Sequence, residues 1–545
     1  MTRRIAILLS LVSLASSALH SQVSFDRLVR AADEPQNWLM YSGTYSGQRY
    51  SPLRQVDAAN VKNLEMKWVF QAQSLNSFSA TPLVVDGVMY LTQAPNDVVA
   101  LDARTGRVFW TYHYNPSPGR LCCRGLVNRG VAILGDTLFM ATVDAHLLGI
   151  DAKTGNVLWK TKVAEAKLSY AMTLAPLVVK DKVVVGVAGG EYGIRGFIAA
   201  YDAHSGREAW RFHTIPGPGE PGHDTWTGDT WEHGGASVWV TGSYDPDLNL
   251  TYWGVGNPGP DFNAAQREGD NLYSDSVVAL DGDTGKLKWH FQFTPHDPYD
   301  YDSTQVPVLV DANWNGSPRK LMLWGNRNGF FYVLDRTNGR FLLGRPYAKV
   351  NWASGLDANG RPIVTVQTPD TPIFPGPLGA TNWYSPSYSP RTGLFYLSTW
   401  ENYALVFAPG EPVVYKEGQN FTGGNLQPPP GDAPMPGMQR GPINTWHEGA
   451  AHGIVRALDP RTGTEKWAFT MHDVTTSGIL TTASDLLFVG GREGFFQALD
   501  ARSGALLWKA SLGGEMAAGP MTYAIDGKQY VAIAAGHSLF AFALR

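Results

Sequence analysis

The stretch ALDARTGRVFW spans residues 100–110, and close variants of it recur along the chain. Five further copies also end in tryptophan, at Trp159, Trp210, Trp289, Trp467 and Trp508. A seventh copy, VLDRTNGRFLL (333–343), ends in Leu343 instead, and a degenerate first copy, ANVKNLEMKW (59–68), has Asn60 where the others have aspartate. The sequence thus repeats one phrase eight times.

Each copy has the chemistry of a strand, a tight turn and a second strand. The aspartate that ends the first strand can accept hydrogen bonds from the amides of the turn, and the glycine allows a positive φ. Upstream of the copies lie further pairs of short apolar segments, such as PLVVDGVMYL (82–91) and PLVVKDKVVVGV (176–187). Four short strands in every ~40–50 residues are typical of a propeller. The sequence therefore predicts an all-β, eight-bladed β-propeller with Trp-docking repeats.

The order of the repeats also predicts how the ring closes. The last strands fall in residues 520–544, whereas the first copy of the phrase lies at 59–68. Residues 60–70 are therefore expected to supply the outer strand of the blade that the C-terminus begins, which removes the free sheet edges. Residues 22–545 form one predicted domain, and two insertions, about 215–235 and 409–445, are predicted to be loops over one face.

The N-terminus and the composition indicate an exported globular protein. Arg3 and Arg4 precede an apolar run from Ile5 to Ala18, which is typical of a secretory signal, here residues 1–21. That run is too short to anchor the chain in a membrane, so we expect a periplasmic protein without a membrane span. The net charge is −4 and no Lys/Arg run occurs, which argues against nucleic-acid binding. No C-x-x-C-H motif is present to attach haem covalently.

Several polar residues stand just outside the predicted blade strands, where loops converge on the central channel. They are Glu191 in AGGEYGIRG, Asn257 in WGVGNPGP, Asp297, Asp300 and Asp302 in TPHDPYDYDS, Arg327 in WGNRNGF and Asn382 in TNWYSP. Carboxylate and amide oxygens suit a hard cation such as Ca²⁺ better than zinc. The alternative is that each of them only satisfies the amides of its own turn.

The only two cysteines are neighbours, Cys122 and Cys123. A disulfide between them would enclose almost no loop, so its contribution would be local rather than to chain stability. A flat sulfur platform is one such use, and two unpaired thiols at a strand end are the alternative.

Taken together, these features resemble the quinoprotein alcohol dehydrogenases, which use pyrroloquinoline quinone (PQQ). The resemblance covers nearly the whole chain after the signal and is most specific at GGEYGIRGF, GNPGP and PHDPYDYD. It implies a vicinal disulfide of Cys122 and Cys123 over one face of PQQ and Trp239 over the other. It implies that Asp300 is the catalytic base and that Arg327 hydrogen-bonds the quinone oxygens. The remaining polar surround that it implies consists of Arg129, Thr173, Gly189, Gly190, Ser237 and Asn382.

The resemblance further implies one metal ion held by Glu191, Asn257 and Asp300. Asp302 lies two residues beyond Asp300 and, on an extended segment, would point to the same side. An aspartate there resembles the lanthanide-dependent branch of the family, so La³⁺ or Ce³⁺ is expected in preference to Ca²⁺. Ser79 and Thr476 depart from the family pattern, in which many relatives have glutamate and tryptophan.

The function that follows is oxidation of an alcohol to an aldehyde by hydride transfer to PQQ, with electrons passed to a separate, soluble cytochrome c. Two alternatives remain: a PQQ dehydrogenase of aldehydes, polyols or sugars, and a non-catalytic propeller scaffold that binds proteins. The oligomeric state is open, with a homodimer as one alternative.

Overall fold

The computed structural model describes residues 23–76, 78–117, 122, 126–368, 370–427 and 451–545. The predicted secretory signal, residues 1–21, lies outside the described residues. In the described part, eight antiparallel sheets of four strands, one of them with a short fifth strand added in parallel, form the blades of a propeller, which confirms the predicted fold. No helix in these ranges is both long and apolar enough to cross a bilayer.

The first four blades follow one another along the chain, and the insertion 215–235 lies between blades 3 and 4. Blade 1 contains the strands Leu83–Val85, Val88–Gln93, Asp97–Asp102 and Val108–Tyr112. Blade 2 contains Ala132–Leu134, Thr137–Ala141, His146–Asp151 and Val157–Lys162. Blade 3 contains Leu177–Val179, Lys182–Gly186, Phe197–Asp202 and Glu208–His213. Blade 4 contains Ser243–Asp245, Leu250–Gly254, Ser276–Asp281 and Leu287–Gln292.

Among the last four blades, blade 6 contains the second insertion and blade 8 closes the ring. Blade 5 contains Val308–Trp314, Ser317–Gly325, Phe330–Asp335 and Arg340–Pro346. Blade 6 contains Ser387–Ser389, Leu394–Glu401, His452–Asp459 and Thr464–Thr470. Blade 7 contains Ile479–Thr482, Leu486–Val489, Phe495–Asp500 and Leu506–Ser511, with Tyr50–Ser51 added in parallel to its first strand. Blade 8 contains Met521–Ile525, Lys528–Ala535, Ser538–Leu544 and, as its fourth strand, Leu64–Gln71.

Short elements lie between the blades. One α-helix spans Phe25–Val29. Short 3-10 helices span Ala31–Asp33, Val61–Asn63, Ala166–Leu168, Gly190–Tyr192, His223–Thr225, Thr230–His233 and Ala264–Gln266. Two hairpins stand outside the blades, Ala353–Leu356 with Pro362–Val364 and Val406–Pro409 with Gly424–Gln427. The second hairpin corrects the prediction of a plain loop over 409–445: Gly424–Gln427 lies within that range and pairs with Val406–Pro409.

The repeated phrase forms the turn between the third and fourth strands of blades 1 to 7. In blade 2, the Asp151 carboxylate accepts the Thr154 amide at 2.8 Å, and Gly155 adopts a φ of 76°. The indole N–H of Trp159 donates to the Ala203 carbonyl of the next blade at 3.2 Å. A Cβ on Gly206, in the turn of that next blade, would lie 2.5 Å from the Trp159 ring. The tryptophans therefore dock one blade on the next, as predicted.

A small residue faces each docking tryptophan on the neighbouring strand. Alanine or glycine takes this place in the pairs Trp68–Ala541, Trp110–Ala100, Trp159–Gly149, Trp210–Ala200, Trp289–Ala279, Trp467–Ala457 and Trp508–Ala498. In the copy without tryptophan, Leu343 faces Val333. Leucine is smaller than tryptophan, and valine is larger than alanine or glycine, so the two changes compensate each other in volume, as close packing requires.

The predicted closure is confirmed. Trp68 and its strand pair with the C-terminal strand Ser538–Leu544, so blade 8 is built from both ends of the chain.

Candidate active site

The predicted site residues lie in loops at one face of the propeller. Glu191, Asn257 and Arg327 each stand between the second and third strands of their blades, 3, 4 and 5. Asp300 stands in the connection from the fourth strand of blade 4 to the first strand of blade 5. In an up-and-down sheet these two kinds of connection lie at the same end of the strands. Residues that are far apart in sequence therefore meet at one face of the propeller.

A cavity of about 300 Å³ brings these side chains together. Most of the predicted site lines it: Arg129, Thr173, Gly189, Glu191, Ser237, Trp239, Asn257, Asp300, Asp302, Arg327 and Asn382. Gly190 lies directly behind the lining, since a Cβ there would be 3.3 Å from Ser237 Oγ and 3.8 Å from Asn257 Oδ1.

Arg327 links the two aspartates of the sequence DYD. Its Nη2 donates to Asp300 Oδ2 at 3.0 Å and its Nη1 to Asp302 Oδ2 at 2.5 Å. Its Nε donates to the carbonyl of Pro377 at 2.6 Å, and the side chain is almost wholly buried. A guanidinium held at three points in this way has a fixed orientation in the cavity.

The backbone at Asp300 differs from the extended geometry that we predicted. Asp300 has a φ of 62°, in the left-handed region, and no strand begins before Val308. The two carboxylates still converge, because both pair with the same guanidinium. Asp302 Oδ1 also accepts the backbone N–H of Asn257 at 3.0 Å, and a Cβ on Gly256 would lie only 2.3 Å from that oxygen.

Charge and burial perturb the acids of the cavity. Burial raises the pKa of Asp300 well above its usual value, opposed by Arg327 and reinforced by Asp302 and Asp261. Burial, with repulsion from Asp302, also raises the pKa of Glu191. For Arg327, burial would lower the pKa, but the carboxylates of Asp300 and Asp302 outweigh it and the pKa is raised. The acidic half of the cavity therefore carries more negative groups than one arginine balances.

The opposite half of the cavity is aromatic and cationic. The Arg129 guanidinium lies 4.9 Å from the ring centre of Trp239 and 4.8 Å from that of Trp383. Its Nη1 donates to Thr173 Oγ1 at 2.9 Å, whereas its buried Nε has no hydrogen-bond partner among the described residues. Burial lowers the pKa of Arg129 to about 10. A buried cation without a carboxylate partner is costly, and an anionic ligand would compensate it.

Cys122 adjoins this aromatic half. It is 1% exposed and packs in a group that includes Ala171, Ala188 and Trp239. Its predicted partner, Cys123, lies outside the described residues.

The predicted metal ligands share the cavity wall, but they do not form a closed coordination group. Within the described ranges, no three His, Cys, Asp or Glu side chains are arranged to hold one metal ion. Arg327 lies between Asp300 and Asp302 and pairs with both. The assignment of a metal to these residues therefore stays a prediction.

Sequence reasoning missed two contributors. Trp383 lines the cavity and stacks on Arg129, and its position directly after Asn382 in TNWYSP was the signal that could have identified it. Asp261, in GNPGPDFN, is 2% exposed, its Oδ1 has no partner among the described residues, and burial together with Glu191 raises its pKa. Ser79 and Thr476 are not part of the cavity lining, and Thr476 Oγ1 donates to Glu515 at 3.1 Å.

Comparison with known proteins agrees with this geometry. Residues 38–353 match the family model described as glucose/ethanol/alcohol dehydrogenase, beta-propeller domain, and residues 451–544 match that of the outer membrane protein assembly factor BamB. The quinoprotein alcohol dehydrogenase PedH of Pseudomonas putida is 38% identical over 98% of this chain and 91% of its own length. The 1-butanol dehydrogenase (cytochrome c) of Thauera butanivorans is 38% identical over 92% of this chain and 74% of its own length. The structure of a europium-containing methanol dehydrogenase superposes with a TM-score of 0.86 at 32% identity and covers 95% of this chain and 100% of its own.

The similarity extends over nearly the whole chain. This chain therefore belongs to the family of PQQ-dependent alcohol dehydrogenases.

Proposed function

We propose that this protein is a periplasmic enzyme that oxidises an alcohol to an aldehyde with bound PQQ and passes the electrons to a separate cytochrome c. One observation carries the proposal: a single cavity has a guanidinium between two indole rings at one side and a cluster of carboxylates at the other. A protein-binding scaffold would have no need of either half.

The chemistry of the cavity fits PQQ, a planar tricarboxylate quinone. Arg129, with its unpartnered Nε, would meet an anionic carboxylate, and Trp239 would present a flat apolar face. The predicted disulfide at Cys122, which packs close to Trp239, would cover part of the ring system. Thr173, Gly189, Gly190, Ser237 and Asn382 would complete the polar surround.

The donor set also fits a cation. Glu191, Asn257, Asp300 and Asp302 supply only oxygen ligands, as hard cations require, and the orphaned Oδ1 of Asp261 adds a further negative group behind them. When bound, PQQ supplies a quinone that accepts two electrons, and the cation polarises it as a Lewis acid.

Asp300 would act on the substrate. Its carboxylate lines the cavity and has a raised pKa, so it is a better proton acceptor than an ordinary aspartate. It would accept the hydroxyl proton of the alcohol, while Arg327 holds the carboxylate in position through the 3.0 Å contact at Oδ2.

The electron acceptor and the location rest on the sequence and on relatives. No C-x-x-C-H motif for covalent haem attachment is present in the 545 residues. The name 1-butanol dehydrogenase (cytochrome c) of one relative supports a cytochrome c acceptor. The predicted signal of residues 1–21 supports export, and fractionation of cells that express the full chain tests it: cytoplasmic retention would contradict it.

The test of activity is a substrate panel on PQQ-loaded protein. With a metal salt and a dye acceptor, primary alcohols are expected to give the highest kcat/KM, and omission of PQQ should abolish turnover. Preference for aldehydes, polyols or sugars would support the alternative dehydrogenases. PQQ binding without turnover of any substrate would contradict the enzymatic proposal.

A further inference from the structure

The hairpin after the second strand of blade 6 carries a loop, residues 410–423, which we call the strap. The strap leaves blade 6 and lies against loops of blades 3 and 4, next to the cavity but without lining it. We propose that the strap positions Glu191 for cation binding, with Tyr415 and Phe421 as the positioning residues. This inference rests on the proposed metal site.

Both ends of the strap are anchored on the loop that follows Asn257. Gln266 forms two hydrogen bonds with the backbone of Val413, at 2.9 and 3.0 Å. Asn263 Nδ2 donates to the carbonyl oxygen of Gly410 at 3.1 Å. The backbone N–H of Phe262 donates to the carbonyl oxygen of Thr422 at 2.8 Å. These bonds join both ends of the strap to a loop of blade 4.

The strap then covers the turn that carries Glu191. The amide of Phe421 donates to the Glu191 carbonyl at 2.7 Å. A Cβ on Gly193 would lie 2.9 Å from the Tyr415 ring and 3.1 Å from the Phe421 ring, so both rings press on this turn.

Tyr415 also joins the turn to the 215–235 insertion. Its ring stacks on that of His233, with centres 3.5 Å apart and planes at 10°. Nδ1 of the same histidine lies 3.1 Å from the Gly193 carbonyl oxygen. Gly193, His233 and Tyr415 thus form one packed unit directly behind Glu191.

The carboxylate of Glu191 accepts a hydrogen bond from its own backbone amide, so its position depends on the backbone of this turn. Within the described part of the chain, no other side chain hydrogen-bonds its carboxylate, which faces the cavity. The position of this ligand is therefore set through its backbone, and the strap holds that backbone from outside.

The experiment compares Tyr415→Ala with two controls. Tyr415→Phe keeps the stacked ring, and Glu417→Gln changes the same strap only at its exposed ion pair with Lys167, 3.5 Å long. PQQ-loaded protein is titrated with La³⁺ and the absorbance of PQQ is followed. Because groups that orient metal ligands typically contribute 10–100-fold in affinity, Tyr415→Ala should weaken La³⁺ binding by about tenfold, with both controls like wild type.

A second measurement separates this inference from the proposed function. Hydrogen exchange of the Tyr192 and Gly193 amides in protein without added metal should become faster in Tyr415→Ala, and thermal unfolding should change little. Unchanged exchange, or wild-type La³⁺ affinity in Tyr415→Ala, would overturn the role of the strap. If wild type itself binds neither La³⁺ nor Ca²⁺ with PQQ, the metal site fails. Should Tyr415→Ala not fold, Phe421→Leu is tested in the same way.

Discussion

Asp300 shows how one residue acquires a function from its surroundings. Burial and nearby acids raise the pKa of its carboxyl group, and the neighbouring Arg327 offsets only part of this rise. Asp300→Asn removes the proton acceptor but keeps the shape, so kcat should fall by at least about 100-fold, the usual contribution of a general base. PQQ binding, measured by absorbance, should be retained. Asp270→Asn, which alters only an exposed ion pair with Arg361, is the matched control, and wild-type turnover in Asp300→Asn would exclude the role.

Asp302 decides the expected choice of metal. It adds a carboxylate to those of Glu191 and Asp300, and a trivalent cation compensates their mutual repulsion better than Ca²⁺. We expect La³⁺ to support a higher rate than Ca²⁺ in the wild type and Asp302→Ala to reduce or reverse that preference. The measurement is dye-linked turnover of PQQ-loaded, metal-depleted protein with each ion. Equal rates with the two ions in both proteins would contradict this assignment.

At the scale of the element, the unit of packing is a tryptophan and the small residue opposite it. Trp467→Leu would leave a cavity at the joint between blades, and Ala457→Val would crowd the Trp467 ring, so each should lower the free energy of unfolding by about 1–3 kcal/mol. The double variant recreates the natural pair of Leu343 and Val333. The double variant should therefore lose less free energy of unfolding than the two single variants lose in sum, as measured by urea unfolding. Strict additivity would show that the two positions do not compensate.

At the scale of the whole molecule, stability depends on closure of the ring. The strand Ser538–Leu544 pairs on both sides, with Lys528–Ala535 and with Leu64–Gln71. Deletion of residues 538–545 should leave two open strand edges and give protein that is aggregated or unfolded. Deletion of Arg545 alone removes only an exposed ion pair with Glu65 and is the control. A folded, monomeric product of the longer deletion, judged by circular dichroism and gel filtration, would refute the need for closure.

The active site could be predicted only in part, because its loops come from different blades of the whole molecule. The motifs around Glu191, Asn257 and Asp300 identified most of the cavity lining from sequence alone. The contact of Arg129 with Trp383, the pairing of Arg327 with Asp302 and the backbone of Asp300 could not be predicted, because each depends on how separate loops meet.

The sequence by itself determined the propeller, the number of blades and the way that the ring closes. The blades depend on turns and strand pairs within about ten residues, where aspartate, glycine and tryptophan act through local hydrogen bonds and packing. The closure pairs strands from the two ends of the chain, and it could be predicted because the order of the repeats leaves one blade incomplete at each end. Only the tertiary structure decided which loops share the cavity and that the strap lies behind Glu191. These contacts join residues such as Arg129 and Trp239, 110 positions apart, and their geometry follows from the order of the blades around a closed ring.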